Sequence, residues 1–297
     1  MSPLSSHWLI HIGMPKCASS SLQNILMSAE NIFYNVSTDF SFNKVSHELI
    51  AETSKEKVNS YYGSLLADKH LKRFGPLNKY INSAYDSPSR LKVISSETFV
   101  AYSDSDVKNL KNKFLSQGLE PSILFITRDL QDYIISSWKQ SILFGCLMPL
   151  SNYAKIKSPN FLAIENRWKK HFKQIISLKM EKNVNIMQET ISLLNKKYNL
   201  SIPLGESLKP QNEAKYTSLT CSNYIDYILN EKNCHSYKYI DSSWPPHSAE
   251  LPPFNIQSHK ERKLILTMLE TDLRRQMNAS DLRKKEEEYK QKIFSNL

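Results

Sequence analysis

The stretch "WLIHIGMPKCASSSLQNIL", residues 8–26, decides the fold. It opens with the apolar, β-rich run of a buried parallel strand, and residues 20–30 follow an apolar helical pattern. Between strand and helix lie Gly13, Lys16 and three consecutive serines. A helix N-terminus binds anions because its first N–H groups are unpaired and carry partial positive charge. Small hydroxyl residues leave room for the anion, and a lysine adds a full charge, so the stretch predicts a phosphate-binding loop.

Two familiar phosphate-binding motifs do not fit this loop. In the Walker A motif, G-x-x-x-x-G-K-[ST], the lysine lies beside the Ser or Thr at the end of the loop. Here Lys16 comes three residues after Gly13 and before the serines, and the dinucleotide pattern G-x-G-x-x-G is not present either. Taken by itself, the loop leaves one alternative open, a strand–helix turn whose serines only cap the helix.

Composition and charge favour a globular protein with an anionic partner. Of the 297 residues, 40% are hydrophobic and 23% charged, and the formal net charge is +10 with a pI near 9.2. Such a charge favours nucleotides, sulfated or phosphorylated ligands, nucleic acid or anionic lipid; a solvated basic surface is the alternative. Because the basic residues are spread over the whole chain, without aromatics interleaved on one face, we expect no nucleic-acid partner.

The cysteines and the N-terminus indicate a protein of a reducing compartment. The four cysteines are Cys17, Cys146, Cys221 and Cys234, and none forms a C-x-x-C pair or a zinc pattern. The N-terminus has no signal-peptide pattern, and no apolar window reaches the length of a membrane span. We therefore expect a cytoplasmic protein. Since the chain starts almost directly on its first strand, we expect no membrane-anchor stalk before it.

Strand and helix patterns alternate in the first half of the chain. Two further apolar runs, "LKVISSE" (91–97) and "SILFITRD" (122–129), are typical of buried strands. Helical patterns lie between and after the strands, at 44–83, 104–117 and 130–143. For the second of these, Ser103 or Asp104 is a candidate N-cap and Gly118 a candidate stop. This alternation predicts an α/β fold with a central parallel sheet flanked by helices.

The second half is predicted to be mainly helical. The predicted elements are an amphipathic helix at 161–178, a fourth strand at 183–190, a helix at 215–231, a Pro-rich loop at 242–255 and two charged helices across 257–295. No internal repeat or composition shift marks a boundary, so we predict one domain over residues 1–297.

The loop resembles that of a known family. "IHIGMPKCASSSLQ" (10–23) is similar to the 5′-phosphosulfate-binding loop of the sulfotransferases that use PAPS (3′-phosphoadenosine 5′-phosphosulfate). The bacterial and carbohydrate-type members read roughly H-I-G-x-P-K-T-G-T-T-S-L-Q. Relative to that pattern, the substituted positions are Cys17 for the first Thr, Ala18 for the Gly, and Ser19 and Ser20 for the Thr pair. Because Ala tolerates positive φ poorly, the loop must adopt a conformation that Ala accepts or carry a small strain.

A second segment resembles the 3′-phosphate motif of the same family. In "ILFITRDLQDYIISSWKQSILFG" (123–145), Arg128 ends the third predicted strand and Ser136 follows eight residues later on the next helix, shortly before Trp138. Arginine offers a planar fork that matches a phosphate. A serine two turns into the helix is placed to face the same pocket. The two motifs occur in the family's order and spacing.

A third, shorter match is "VISSETF" (93–99), which resembles the S-x-E pattern of the bacterial members. In many carbohydrate sulfotransferases a carboxylate or a His near this strand end acts as a general base, so the resemblance implies this role for Glu97. Lys16, Glu97 and Arg128 each lie at the C-terminal end of a predicted parallel strand, where open α/β sheets bind ligands. We therefore expect one cleft to hold all three groups.

Each of these residues also has an ordinary structural interpretation. Arg128 alone would form a salt bridge with Asp129 or Asp132. Ser136 alone would be a helix-surface residue, and Glu97 a helix-capping or surface carboxylate.

The resemblance implies a P-loop-like three-layer fold and transfer of a sulfuryl group from PAPS to an acceptor hydroxyl, without a metal. It implies that Lys16 stabilises the negative charge on the departing phosphate oxygen and that Glu97 removes the proton of the acceptor hydroxyl. The implied PAPS-binding residues are Lys16, Cys17, Ala18, Ser19, Ser20, Ser21, Arg128 and Ser136. The expected acceptor is a glycan or glycolipid, and the expected protein a bacterial cytoplasmic enzyme whose oligomeric state stays open.

Two alternatives remain open from the sequence. A P-loop-type nucleotide or sugar kinase would need a Walker A lysine and Mg²⁺-binding carboxylates, and the sequence offers no convincing set. A sulfotransferase-like protein that binds PAPS or its product PAP (adenosine 3′,5′-bisphosphate) without catalysis stays open because Cys17 and Ala18 depart from the family pattern.

Overall fold

The computed structural model describes the following residues: 7–14, 16–29, 32–34, 89–96, 99–100, 102–143, 145–181, 184–203, 216–231 and 259–295. The helices predicted within 44–83, Glu97 and the Pro-rich loop at 242–255 lie outside the described residues. The chain divides into two compact units, residues 1–129 with 160–211 and residues 130–159 with 212–297. That the whole chain is one domain stays a prediction.

Strands and helices alternate as expected from the sequence. In chain order the elements are β1 (His7–Ile12), α1 (Ser19–Ser28), β2 (Ile32–Tyr34), β3 (Leu91–Ser96), α2 (Asp104–Leu115), β4 (Ser122–Arg128), α3 (Leu130–Leu143), α4 (Leu150–Ile156), α5 (Phe161–Lys169), β5 (Ile175–Met180), α6 (Ile186–Tyr198), α7 (Ser218–Glu231), α8 (His259–Gln276) and α9 (Ala279–Phe294). All strands and α1, α2, α5 and α6 belong to the first unit, and the other helices to the second.

The five strands form one parallel sheet in the order β2-β3-β1-β4-β5. β1 lies in the middle, paired with β3 on one side and β4 on the other. Residues Trp8–Ile12 of β1 and Ser122–Ile126 of β4 are buried without a break, as expected for central strands covered on both faces. The predicted α/β fold with a central parallel sheet and flanking helices is therefore confirmed.

The strand order makes the end of β1 a topological switch point. The crossover from β1 to β2 runs towards one edge of the sheet, whereas the crossover from β3 to β4 runs towards the other. Right-handed crossovers in opposite directions predict that α1 and α2 cover opposite faces. At such a switch point a crevice opens beyond the carboxyl ends of the strands. The loop after β1 follows this point directly.

Helix α2 begins at the predicted residue and ends at Leu115, two residues before the predicted end, with the predicted stop Gly118 just beyond it. The Ser103 hydroxyl accepts a hydrogen bond from the Asp106 N–H, and the Asp106 carboxylate accepts one from the Ser103 N–H, which makes a capping box. At the other end Gly118 has a φ of 69°. Gly118 and the next residue donate their N–H groups to the carbonyls of Leu115 and Phe114, the pattern of a Schellman motif.

Two predictions for residues 161–190 are wrong. The helix ends at Lys169 rather than near 178, and the last apolar residues of that stretch form β5, paired with β4. The strand predicted at 183–190 is not formed by its described part, because α6 begins at Ile186 with the Asn185 side chain accepting from the Gln188 N–H. The run "IISLKM" satisfies both a helical and a strand pattern, and its pairing with β4 decides between them.

The second unit is a group of helices around an apolar core. Its buried residues include Trp138 of α3, Tyr153 of α4, Ile225 of α7 and Leu266 of α8. The predicted helices at 130–143, 215–231 and 257–295 are confirmed. Of the helices in the described ranges, none is long and apolar enough to cross a membrane. The cytoplasmic location stays a prediction.

Two carboxylates from other helices hold the N-terminus of α7. Glu286 of α9 accepts from the Ser218 N–H at 2.9 Å. Glu270 of α8 accepts from the Thr217 N–H at 2.8 Å and from the Thr220 hydroxyl at 2.7 Å. Negative charge is favourable at this end of a helix, so these contacts stabilise the packing of α7 against α8 and α9.

Replacing Gly118 by Ala is expected to lower the free energy of unfolding by about 1 kcal/mol, since a left-handed residue other than Gly is strained. An added Cβ would meet no atom within 4 Å, so the loss comes from the backbone alone. Urea denaturation measures it. The matched control is Gln117→Ala at the neighbouring exposed position, which is expected to change stability by less than about 0.5 kcal/mol. Equal stability of the two variants would contradict the prediction.

Replacing Glu270 by Gln is expected to destabilise the protein by about 2 kcal/mol at pH 7, because its hydrogen bonds lose their ionised acceptor and the ion pair with Arg274 is lost. Burial alone would raise the pKa of the Glu270 carboxyl, but the hydrogen bonds from Thr217 and Thr220 and the nearby Arg274 outweigh it and lower that pKa. The contribution is therefore complete above the ordinary glutamate pKa of about 4.3 and is lost as the pH falls below it.

Chemical denaturation of the wild type and Glu270→Gln at several pH values tests whether the contribution of Glu270 to stability is lost as the pH falls. The difference in stability is expected to shrink between about pH 5 and pH 3. Glu287→Gln is the control, because Glu287 is exposed and pairs with Lys290 at the surface, where ion pairs contribute little. A Glu270→Gln difference that grows towards low pH would show that the carboxyl is not held ionised.

Candidate anion-binding site

The chain leaves β1 through a tight turn. The Cys17 N–H donates to the Met14 carbonyl at 3.1 Å, which closes a four-residue turn. Lys16, its third residue, has a φ of 62°, the sign that a type II turn requires at that position. The sequence places a proline at the second position, where type II turns favour it. Met14 and Cys17 are buried, so the turn is anchored in the core at both ends.

Helix α1 starts directly after this turn. Its N-cap is Ala18, with φ 61° and ψ 19°, and the first helical hydrogen bond runs from the Leu22 N–H to the Ala18 carbonyl. The N–H groups of residues 18–21 precede that bond and so have no helical carbonyl to donate to. Ala18 has no side-chain acceptor for them, and the Ser19 hydroxyl donates to the Met14 carbonyl at 2.9 Å. Ser19 therefore braces the loop and does not cap the helix.

The loop carries backbone strain. Of the residues in the described ranges, three other than Gly have positive φ: Lys16, Ala18 and Asn199. Asn199 follows the end of α6, an ordinary place for such a residue. The other two lie in this loop, and each left-handed L-residue costs about 1–2 kcal/mol. Ala18 therefore adopts the conformation that favours Gly, with strain, and non-Gly residues held in this way cluster at ligand sites.

Arg128, the last residue of β4, contacts this loop. Its Nη1 donates to the Lys16 carbonyl at 2.9 Å. Its Nε is buried and has no hydrogen-bond partner within the described part of the chain. A buried guanidinium N–H without an acceptor is costly, so this atom fits an anionic ligand. The guanidinium thus lies on the loop, rather than on Asp129 or Asp132 as the alternative interpretation had it.

A buried polar pair below the loop was not predicted from the sequence. His11 of β1 and Ser95 of β3 are register partners, both fully buried, with 2.7 Å between Nδ1 and Oγ. The signal in the sequence is a histidine inside the apolar run of β1. The pair joins the strand that leads to the loop with the strand that leads to Glu97.

Most of the predicted binding residues therefore come together at the end of β1. They are Lys16, Cys17, Ala18, Ser19, Ser20, Ser21 and Arg128. Ser136 is a partly buried residue of α3 in the second unit. Glu97 lies outside the described residues, so its role as a base stays a prediction, as does the role of Ser136. Cys17 is completely buried.

The site contains groups of the kind that bind anions. It combines the ammonium group of Lys16, the guanidinium of Arg128 and the positive end of α1, which together can hold an anion. In the described ranges, no three His, Cys, Asp or Glu side chains come together as a metal site. That the reaction needs no metal stays a prediction.

Replacing Ala18 by Gly is expected to raise the free energy of unfolding by about 0.5–1 kcal/mol. Gly relieves the left-handed strain, and its greater freedom in the unfolded chain offsets part of that gain. Urea denaturation measures the change. The matched control is Ala163→Gly in the exposed first turn of α5, where the same substitution is expected to destabilise by a comparable amount. A destabilised Ala18→Gly variant would contradict the observed backbone conformation.

No protein-family profile matches the sequence, and no curated protein is significantly similar to it. The assignment of the site therefore depends on its residues and their geometry.

Proposed function

We propose that this protein is a sulfotransferase that moves a sulfuryl group from PAPS to an acceptor hydroxyl. The contact of Arg128 with the Lys16 carbonyl supports the proposal best. It joins two segments 112 residues apart, one resembling a 5′-phosphosulfate loop and the other a 3′-phosphate motif. We also propose that the α/β fold is of the P-loop-like, three-layer type.

In this proposal the loop and helix α1 hold the 5′-phosphosulfate end of PAPS. The N–H groups of residues 18–21 precede the first helical hydrogen bond, so they are available to phosphate oxygens. Lys16 supplies a full positive charge beside them. Arg128, with its buried Nε, and Ser136 bind the 3′-phosphate, which distinguishes PAPS from ADP.

The proposed reaction is an in-line displacement. The bond from sulfur to the bridging phosphate oxygen breaks, a bond from sulfur to the acceptor oxygen forms, and the acceptor proton moves to Glu97, with PAP as the product. Lys16 stabilises the negative charge that develops on the bridging oxygen. A sulfuryl group carries less negative charge than a phosphoryl group, so a metal ion is less needed than in kinases.

The acceptor in the proposal is a hydroxyl of a glycan or glycolipid, in keeping with the likeness of the loop to the carbohydrate-type and bacterial members. We place the enzyme in the bacterial cytoplasm.

Binding of nucleotides distinguishes the proposal from the kinase alternative. We expect PAP to bind at least about tenfold more tightly than ADP, because a phosphate paired with arginine contributes well over 1 kcal/mol. Isothermal titration calorimetry with PAP, ADP and ATP–Mg²⁺ measures this. Equal affinities for PAP and ADP would exclude the 3′-phosphate assignment, and tighter binding of ATP–Mg²⁺ would favour a kinase.

Activity distinguishes an enzyme from a binding protein without catalysis. With ³⁵S-labelled PAPS and a panel of polysaccharides, glycolipids and small alcohols, Lys16→Ala is expected to lower the rate by about 10²–10³ and Glu97→Ala by about 10²–10⁴. Lys108→Ala, at an exposed position of α2, is the control and is expected to keep the wild-type rate. PAP binding without transfer to any acceptor would support the inactive alternative, and a fully active Glu97→Ala variant would refute the assignment of the base.

A further inference from the structure

The contact between Arg128 and the loop indicates a role for this residue beyond binding the 3′-phosphate. We propose that Arg128 is a positioning residue that holds the strained loop between β1 and α1, and thereby couples the 5′-phosphate site to the 3′-phosphate site. That Arg128 holds the loop follows from the geometry alone, whereas the coupling of the two phosphate sites rests on the proposed function.

The loop must be held by its contacts because its backbone is unfavourable. Lys16 and Ala18 are both left-handed, with φ values of 62° and 61°. Such strain persists only where surrounding contacts determine the conformation. Within the loop, the Cys17 N–H and the Ser19 hydroxyl both donate to the Met14 carbonyl. These two bonds join parts of the loop to one another.

Arg128 adds a bond of a different kind. It belongs to β4, which pairs directly with β1, and its Nη1 reaches the carbonyl of the left-handed Lys16. The bond therefore fastens the turn to the sheet. Because the donor is charged, losing it costs more than losing an ordinary backbone hydrogen bond. Arg128 is thus suited to fix the direction in which the chain enters α1.

The same guanidinium can serve a ligand at the same time. An arginine carries five N–H donors in a rigid plane, and here only the Nη1 edge reaches the Lys16 carbonyl. The Nε, buried and without a hydrogen-bond partner among the described residues, is a separate donor. An anion on that side and an ordered loop both favour the same position of the Arg128 side chain. Binding of the anion therefore favours the ordered loop, and the ordered loop favours binding of the anion by the same free energy.

This role predicts an effect that would not occur if Arg128 only bound the 3′-phosphate. If Arg128 contacted only a 3′-phosphate, its removal would leave binding of 5′-AMP unchanged, since 5′-AMP has no phosphate at the 3′ position. If Arg128 also holds the loop, its removal weakens 5′-AMP as well as PAP.

The test uses Arg128→Met, which keeps the aliphatic stem and removes every donor, with Arg128→Lys as a second variant should the first not fold. The matched control is Arg90→Met. Arg90 also donates to the carbonyl of a left-handed residue, Asn199, at 3.0 Å, but at the end of α6. Hydrogen exchange with mass spectrometry, without nucleotide, follows peptides that cover residues 13–22.

We expect the amides of Cys17 and Leu22 to exchange about tenfold faster or more in Arg128→Met, and also faster than wild type in Arg128→Lys, whose shorter side chain does not place a donor at the Nη1 position. Arg90→Met is expected to leave the loop at the wild-type rate. Wild-type exchange of the loop in the folded Arg128 variant would overturn the proposal. So would an equal acceleration throughout the sheet, which would indicate general destabilisation.

Calorimetry with PAP and 5′-AMP then tests the coupling. We expect the Arg128 variant to lose about tenfold or more in affinity for both nucleotides, with the larger loss for PAP. Wild-type affinity for 5′-AMP in this variant would overturn the coupling. If the wild-type protein binds neither nucleotide, the proposed function is refuted, and the exchange measurement still decides whether Arg128 holds the loop.

Discussion

Parallel pairing of β1 with β3 and β4 is the constraint on which the site depends. Carboxyl ends of parallel strands meet at one edge of a sheet, so the loop after β1 and Arg128 at the end of β4 are brought together by strand register. The hydrogen bond of Arg128 to the Lys16 carbonyl spans 112 residues of sequence, yet it needs only two adjacent strands. Because β1 is buried on both faces, this arrangement is held by the most protected part of the first unit.

The loop combines backbone strain with a buried hydrogen-bond donor that lacks an acceptor in the described part of the chain. Two left-handed residues and a buried guanidinium N–H without a described partner are unfavourable in the protein by itself. An anion in this place would supply the missing hydrogen-bond acceptor. A ligand that binds only the folded state stabilises it. Such a site therefore lowers the stability of the protein without ligand and raises its affinity for the ligand.

Much of this fold follows from local sequence, and the failures have physical causes. The three predicted parallel strands, the Ser103 cap and the Gly118 stop were all correct, because apolar runs and cap residues act locally. The run at 175–180 was misassigned because it fits a helix as well as a strand, and only its pairing with β4 decides. The strand β2 has three residues, too few for a periodic signal. The motifs indicated which residues form the site, but the left-handed Ala18 and the Arg128 contact are tertiary facts.

Helix α1 begins without a side-chain cap, as α4 also does at Pro149, whereas several other helices are capped. Helices α2, α5, α6 and α9 begin with side chains that accept a hydrogen bond from their first turn; these N-caps are Ser103, Asn160, Asn185 and Asn278. Helix α7 receives two glutamates. At α1 the cap is Ala18, and the adjacent Ser19 directs its hydroxyl to the Met14 carbonyl. Ala18 itself offers no side-chain acceptor to the first N–H groups of α1. Since Arg128 adds a donor to the same loop, an anionic ligand of several oxygens could accept from both the helix start and the guanidinium.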